Sequence, residues 1–216
     1  MESLNHQSHS PDMSLYGPWP HWFHSPFSSS TSKRQNDVPL QGPSAVCGIT
    51  GILGNADPNI ASSMAACLGH RGPDGAGSFD ESLSNGSVAF GHARLSIVDI
   101  EGSSQPIHSD HGAVLIQNGE IYNYAELRRK LTAYPWRTSG DSETVLALHN
   151  TVSGKKKPNH ADWVSRLDGI WGFALWDHVR SELLLCRDPL GVKPLVRSLL
   201  PDGTLIFASE VKALQS

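Results

Sequence analysis

No run in this 216-residue chain approaches the roughly 20 apolar residues of a membrane span, and no apolar stretch follows a basic start as in a secretory signal. Cysteine is scarce and odd in number, at 3, which gives no disulfide framework and leaves each thiol to be judged by its surroundings. Charge of one sign is also missing, with 17 Lys and Arg against 21 Asp and Glu, a net −4 scattered along the chain. Such a surface has no basic face for a phosphate backbone, so nucleic acid is not an expected partner. These absences read as a cytosolic chain without a membrane segment. The length suits one domain with a substantial core rather than two large ones.

Two regions differ in composition. Residues 1–44 are rich in Ser, Pro and His, and their aromatics, among them Trp19, Trp22, Phe23 and Phe27, follow no helical or alternating period. That composition cannot bury a core and reads as a disordered leader. The pairs His6/His9 and His21/His24 have a metal-like spacing but no thiolate or carboxylate partners, so a solvated tail is the preferred reading and no metal is expected. From Ala45 onward, short apolar runs alternate with Gly, Asn, Asp and Pro clusters. Strands are expected near 47–53, 88–93, 113–117, 169–176, 182–187 and 204–208, and helices near 60–68, 125–131, 142–149 and 161–167. Strands and helices come in groups, which favours an α+β layered domain over a doubly wound sheet.

Two thiols have bland explanations. Cys67 falls on an apolar helical face with Ile60, Met64 and Leu68, and Cys186 ends a Leu-rich strand, so both read as core filler. Cys47 heads the run Cys47-Gly48-Ile49-Thr50-Gly51, where glycine lets backbone approach a ligand closely. By itself this pattern is weak, and a semi-buried cysteine at a strand start explains it better.

Chemistry at Cys47 is indicated by the segments downstream of it. In order come His70-Arg71-Gly72-Pro73-Asp74, Gly91-His92-Ala93-Arg94-Leu95-Ser96-Ile97-Val98-Asp99, Gln105-Pro106, Asn118-Gly119-Glu120-Ile121-Tyr122-Asn123, Gly140-Asp141-Ser142-Glu143, Arg187-Asp188-Pro189-Leu190-Gly191-Val192-Lys193-Pro194, and Ser209-Glu210-Val211-Lys212-Ala213-Leu214. In this order and spacing the chain resembles the class II glutamine amidotransferases, and the Arg-Leu-Ser-Ile-Val-Asp tail resembles their asparagine synthetase branch. The likeness runs from Cys47 to the last residues.

That resemblance implies a four-layer αββα N-terminal nucleophile sandwich over residues 47–216. It implies hydrolysis of glutamine to glutamate and ammonia, with Cys47 as nucleophile and Asn118 and the Gly119 N–H as oxyanion donors. Glutamine itself would be held by Arg94 at its carboxylate and Asp141 at its ammonium, with the carbonyl of Gly119 or Glu120 and backbone near Val98 completing the pocket. A thiol pKa of about 8.5 and an α-amine pKa of about 8 would let one residue serve as nucleophile and base. His70, Arg71 and His92 read as structural. Taken one by one, Arg94 and Asp141 also read as surface charges, Asp141 as a helix cap, and Asn118-Gly119 as a hairpin turn.

Two departures from the family pattern stand out. The nucleophile is residue one in the family, whereas 46 residues precede Cys47 here, so either translation starts at Val46 or the leader is removed. The chain also stops where the family continues into an ATP-binding synthetase domain. The expected partners are therefore glutamine and an ATP-dependent synthetase domain or chain, with a homodimer left open. ATP and magnesium belong to that synthetase, and no cofactor is expected in this chain. The competing reading is a catalytically silent interaction module on a peptide- or lactam-forming synthetase.

Overall fold

Period-two alternation of apolar residues builds two antiparallel sheets, each with both faces buried in part. The structure is a computed structural model that describes residues 47–55, 57–95 and 104–215. The expected leader with its histidine pairs, and Val98, lie outside the described residues. Strands β1 (Gly48–Gly54), β2 (Gly75–Leu83), β3 (Gly86–Arg94), β8 (Val196–Leu199) and β9 (Leu205–Ala208) form a five-stranded sheet in the order β2-β3-β1-β9-β8. Strands β4 (Ile107–His108), β5 (Ala113–Ile121), β6 (Gly169–Asp177) and β7 (Glu182–Arg187) form a four-stranded sheet in sequence order.

Three cores separate four layers. Between the sheets lie Ile49, Val88, Phe90, Val114, Ile116, Ala174, Trp176 and Phe207. Helix α1 (Asn59–Ala66) covers the other face of the first sheet through Ala61, Met64 and Leu68, packed with Ile52, Ala89 and Ile206. Helices α2 (Tyr124–Lys130), α3 (Glu143–Asn150) and α4 (His160–Val164) cover the second sheet around Leu115, Trp163, Trp171 and Phe173. The architecture is the αββα sandwich that the resemblance implied. Among the described residues, no helix is long and apolar enough to cross a membrane.

Where helix and sheet approach closely, glycine is required. A Cβ at Gly91 would lie 2.4 Å from the Ala61 carbonyl oxygen, so α1 sits directly on β3. Thr50 fixes the same contact, its hydroxyl donating to Ala61 O at 2.8 Å.

Several expectations need correction. Strands β2, β4 and β8 were not foreseen. β2 alternates half-exposed with exposed residues and carries Ser, Asp and Glu, β4 has two residues, and β8 is a four-residue edge. Such edges lack the continuous apolar run that marks a buried strand. Cys67 is exposed rather than core filler. Helix α1 ends at Ala66, and its buried face is Ala61, Met64 and Ala65, one residue out of phase with the expected one. Cys186, on the edge strand β7, does pack against the core as expected, and burial pushes its thiol up to about 12. Asn118-Gly119 is not a hairpin turn, since both residues lie within β5, paired with Gly172 and Trp171 of β6.

Candidate active site

The alternation that builds the inner core also sets which side chains meet beyond its end. Ile49 of β1 and Val88 and Phe90 of β3 face the second sheet, and His92 and Arg94 share their side of β3. Register pairs Gly48 with Ala93, which carries Cys47 alongside Arg94. On the second sheet, Val114 and Ile116 face inward, and Asn118 continues that face opposite Gly172. These strand ends converge, since β5 of the second sheet is in contact with both β1 and β3 of the first.

Cys47 is half-buried at the mouth of this gap. Its Sγ receives the Leu95 amide at 3.5 Å and points its own proton toward Leu95 O at 3.7 Å. Burial pushes the thiol pKa up, against a downward pull from the Leu95 backbone and from Arg94, Lys193 and Arg71. A protonated resting thiol is the outcome, so a nucleophile here needs a base at the moment of attack.

The Cys47 backbone is fixed from two sides. Arg71 Nε donates to Cys47 O at 3.0 Å, and its Nη1 bonds Glu210 Oε1 at 2.7 Å. Ser209, fully buried, accepts the Ile49 amide on its hydroxyl at 3.0 Å and donates its own amide to Ile49 O at 2.8 Å. The Ser209-Glu210 pair thus clamps Cys47 and the start of β1, Glu210 through Arg71. Arg71 is structural, as expected, but what it structures is the cysteine itself.

Asn118 is 1% exposed, and neither its Nδ2 nor its Oδ1 has a partner among the described residues. Buried amides are almost always paired, so an orphan within a strand, on the face turned toward Cys47, calls for a ligand. Gly119, next in line, has φ +135°, and a Cβ there would lie 2.1 Å from Ile170 O. Only glycine fits at this point. The Gln117 and Ile121 amides on either side turn away from β6, to Gln105 Oε1 at 2.5 Å and Asp141 Oδ2 at 2.7 Å. Between them, no described side-chain oxygen takes the Gly119 N–H.

Asp141 is not a cap of α3, whose N-cap is Ser142. Its carboxylate reaches back to β5, receiving the Ile121 amide and Gln117 Nε2, the latter at 3.3 Å. Burial raises its pKa, against these hydrogen bonds. The preceding loop is held by Glu143, fully buried, which accepts the Arg137 and Thr138 amides at 2.9 and 2.7 Å. Arg128 adds bonds to Thr138 O at 2.6 Å and Gly140 O at 3.1 Å while stacking 4.0 Å over Trp136.

The expected residues are therefore gathered unequally. Cys47, Arg94 and Asn118 share one end of the gap between the sheets, and Gly119 and Asp141 adjoin it through β5. The Glu120 carbonyl is turned toward β6, where a Cβ at Gly169 would meet it at 2.2 Å, and its side chain is exposed. Of the two carbonyls weighed, only that of Gly119 lies near Gln117 Nε2, at 3.5 Å. His92, 1% exposed, is held neutral by burial, which lowers its pKa to about 4 despite the Gln117 backbone.

Sequence reasoning missed Lys193, Glu143 and Gln117. For Lys193 the signal was the Asp188 loop, where Asp188 accepts the Val192 and Lys193 amides at 2.9 and 3.0 Å and folds the lysine back. Glu143 stood three residues from Gly140 with no role assigned. Among the described residues, no cluster of three His, Cys, Asp or Glu is arranged to hold a metal ion.

Comparison with known proteins accords with this geometry. Residues 46–216 match the family described as a glutamine amidotransferase domain. The chain is 34% identical over 180 residues to asparagine synthetase (glutamine-hydrolyzing) 2 of Bacillus subtilis, covering 79% of this chain and 22% of that protein. It is 33% identical over 175 residues to asparagine synthetase (glutamine-hydrolyzing) 1 of Arabidopsis thaliana, covering 78% and 28%. The chain thus spans about a quarter of the length of these curated relatives. Among solved structures, the glutamine phosphoribosylpyrophosphate amidotransferase of B. subtilis, complexed with ADP and GMP, aligns with a TM-score of 0.64 at 26% identity, over 78% of this chain and 43% of that one. The structure described as the allosteric regulatory enzyme of purine biosynthesis shares the fold, with a TM-score of 0.65 at 24% identity.

Proposed function

Because this chain belongs to the glutamine amidotransferase domain family, we propose that it hydrolyses the side-chain amide of glutamine through a thioester on Cys47. The observation that carries this reading is the buried amide of Asn118, without a partner among the described residues, beside Gly119 on the inner face shared with Cys47.

The α-amine of Cys47, once free, takes the proton of its own thiol, and the sulfur attacks the amide carbon of glutamine. Negative charge gathers on the carbonyl oxygen, where Asn118 Nδ2 and the Gly119 N–H donate to it. The ammonium on Cys47 then returns a proton to the leaving nitrogen, and ammonia departs from the thioester. Water, activated by the same amine, releases glutamate and restores the thiol. Arg94 holds the substrate carboxylate and Asp141 its ammonium, so that the amide lies over the sulfur. No metal or organic cofactor enters any of these steps.

The ammonia passes to an ATP-dependent synthetase domain or chain that converts aspartate to asparagine, in keeping with the names of the curated relatives. A peptide bond between Val46 and Cys47 makes the base an amide, which costs on the order of 10²–10⁴ in rate. Full activity therefore requires a free amine on Cys47, whether translation begins at Val46 or the leader is removed.

Glutamate release is the test, compared among protein beginning at Cys47, residues 1–216, and Cys47→Ala. The protein beginning at Cys47 is expected to turn over glutamine, the longer chain to do so at least about a hundredfold more slowly, and Cys47→Ala not at all. If the protein beginning at Cys47 releases no glutamate, the enzyme reading fails and a silent binding module takes its place.

A further inference from the structure

The bonds around Cys47 close into a ring. Its carbonyl accepts Arg71 Nε at 3.0 Å, and Arg71 Nη1 lies 2.7 Å from Glu210 Oε1. Glu210 follows Ser209, which holds Ile49 through both its hydroxyl and its amide, at 3.0 and 2.8 Å. The aliphatic stem of Arg71 lies along the same backbone, where a Cβ at Gly48 would stand 3.5 Å from its Cδ. Only 11% of the Arg71 side chain is exposed, so little water surrounds the guanidinium. Glu210 is held further by His70 Nε2 at 3.2 Å and Lys212 Nζ at 3.4 Å, while Lys212 donates to His70 Nδ1 at 3.1 Å. Burial would raise the Glu210 carboxyl, but Arg71 and His70 outweigh it and hold it below the usual carboxylate range.

With its amine free, Cys47 has no preceding peptide to fix its backbone, and its tetrahedral Cα passes any swing of the carbonyl on to both sulfur and nitrogen. Misplacing reacting atoms by about 1 Å costs on the order of a hundredfold in rate. Charge matters as well. A guanidinium without a counter-ion disfavours the ammonium that must form when the amine takes the thiol proton. Glu210, ionised and hydrogen-bonded to Arg71, offsets that charge.

We propose that Glu210 is a positioning residue for Cys47, acting through Arg71: it fixes the guanidinium that holds the Cys47 carbonyl, and it screens the charge of that guanidinium from the thiol and the amine. The inference rests on the glutamine reading above for what the sulfur attacks. Arg94, Lys193 and Arg71 are the cations that act on the thiol, and Glu210 is bonded to the last of them. Its grip on Arg71 outranks the contacts to His70 and Lys212, which are 44% and 51% exposed and therefore weak.

Two variants, Glu210→Gln and Arg71→Met, separate this role from a scaffold. The thiol is titrated on residues 1–216 by iodoacetamide alkylation against pH, read by mass spectrometry of the Cys47 peptide, in a Cys67→Ser background that removes the exposed thiol. Glutamate release, with kcat and KM, is measured on protein beginning at Cys47. Glu210→Gln leaves Arg71 unscreened and is expected to lower the alkylation midpoint by about half a pH unit, whereas Arg71→Met leaves Glu210 unscreened and is expected to raise it by about as much. Both are expected to lower kcat about tenfold or more with KM within about threefold, since Arg94 and Asp141 still hold glutamine.

A pair that only braces the fold gives another pattern, because either loss then loosens the site, wets the sulfur and lowers the midpoint in both variants. Shifts of the same sign, or no shift, overturn the proposal. So does Glu210→Gln with kcat unchanged, or with a rise in KM in place of a fall in kcat. Should Arg71→Met not fold, Arg71→Gln, neutral and polar, takes its place. If protein beginning at Cys47 releases no glutamate even before substitution, the proposed function fails, and the signs of the two alkylation shifts alone decide whether Glu210 acts on Cys47.

Discussion

Replacing Asn118 with leucine separates a catalytic amide from a structural one, because the two roles give effects of opposite sign. The side chain is 1% exposed, and neither of its polar atoms has a partner among the described residues. An unpaired buried polar group costs about 1–3 kcal/mol of stability, and leucine fills nearly the same volume without it. Asn118→Leu is therefore expected to leave the unfolding free energy unchanged or to raise it by up to about 3 kcal/mol. In the reaction the amide faces a developing oxyanion, and loss of one such donor costs about 2.7–4 kcal/mol of transition-state stabilisation, or 10²–10³ in kcat. KM should change little, since the interaction forms only in the transition state. Urea unfolding and glutamate release would be measured on the same preparation, beginning at Cys47. A kcat within about threefold of the parent refutes the oxyanion role. A fall in kcat that accompanies a matching fall in unfolding midpoint refutes it too, because it points to hydrogen bonds that the folded chain needs.

Two further substitutions test the frame around the site. Gly119→Ala puts a Cβ 2.1 Å from Ile170 O at a φ of +135°, so β5 and β6 must separate locally. The expected cost is about 1–3 kcal/mol, a fall of roughly 2–10 °C in thermal midpoint, and an unchanged midpoint would show that β5 yields freely. Asp177, 2% exposed, accepts from Arg180 Nη1 at 2.5 Å and lies 3.3 Å from His149 Nε2. Burial alone would raise its pKa, but His149 and Arg180 outweigh it and hold the group at about 2. A depressed folded pKa contributes stability that is complete above the ordinary carboxylate value near 4 and drains away as pH falls toward about 2. Its size is on the order of 2 kcal/mol. Asp177→Asn should flatten the acid limb of urea midpoint against pH, and parallel limbs in parent and variant would contradict the assignment.

Local chemistry was legible in the sequence where one residue type alone satisfies a local demand. The strand at β1, the long runs of β5 and β6, and the helices announced themselves through apolar periodicity, and the motif order pointed to the family. Edge strands β2, β4 and β8 did not, because an edge needs only alternate half-burial and tolerates Ser, Asp and Glu. Cys67 was misread for a related reason: a one-residue shift of helix end moves a side chain from the core to solvent, and periodicity does not fix that phase.

What the amino-acid order determined by itself is the inventory: a thiol before a glycine-containing strand, an Asn-Gly pair, an arginine and an aspartate in separate segments, and an α+β layered domain to hold them, with the αββα order implied only by the family resemblance. Tertiary structure alone decided their company. Register across β1 and β3 brings Arg94 beside Cys47, the facing of two sheets brings Asn118 to the same gap, and Ser209 and Glu210 return from the far end of the chain to clamp the start of β1. Whether Asn118 is a turn residue or an orphaned amide depends on which partners are within hydrogen-bonding distance. Distances of that kind arise from packing between segments far apart in sequence, and no local pattern encodes them.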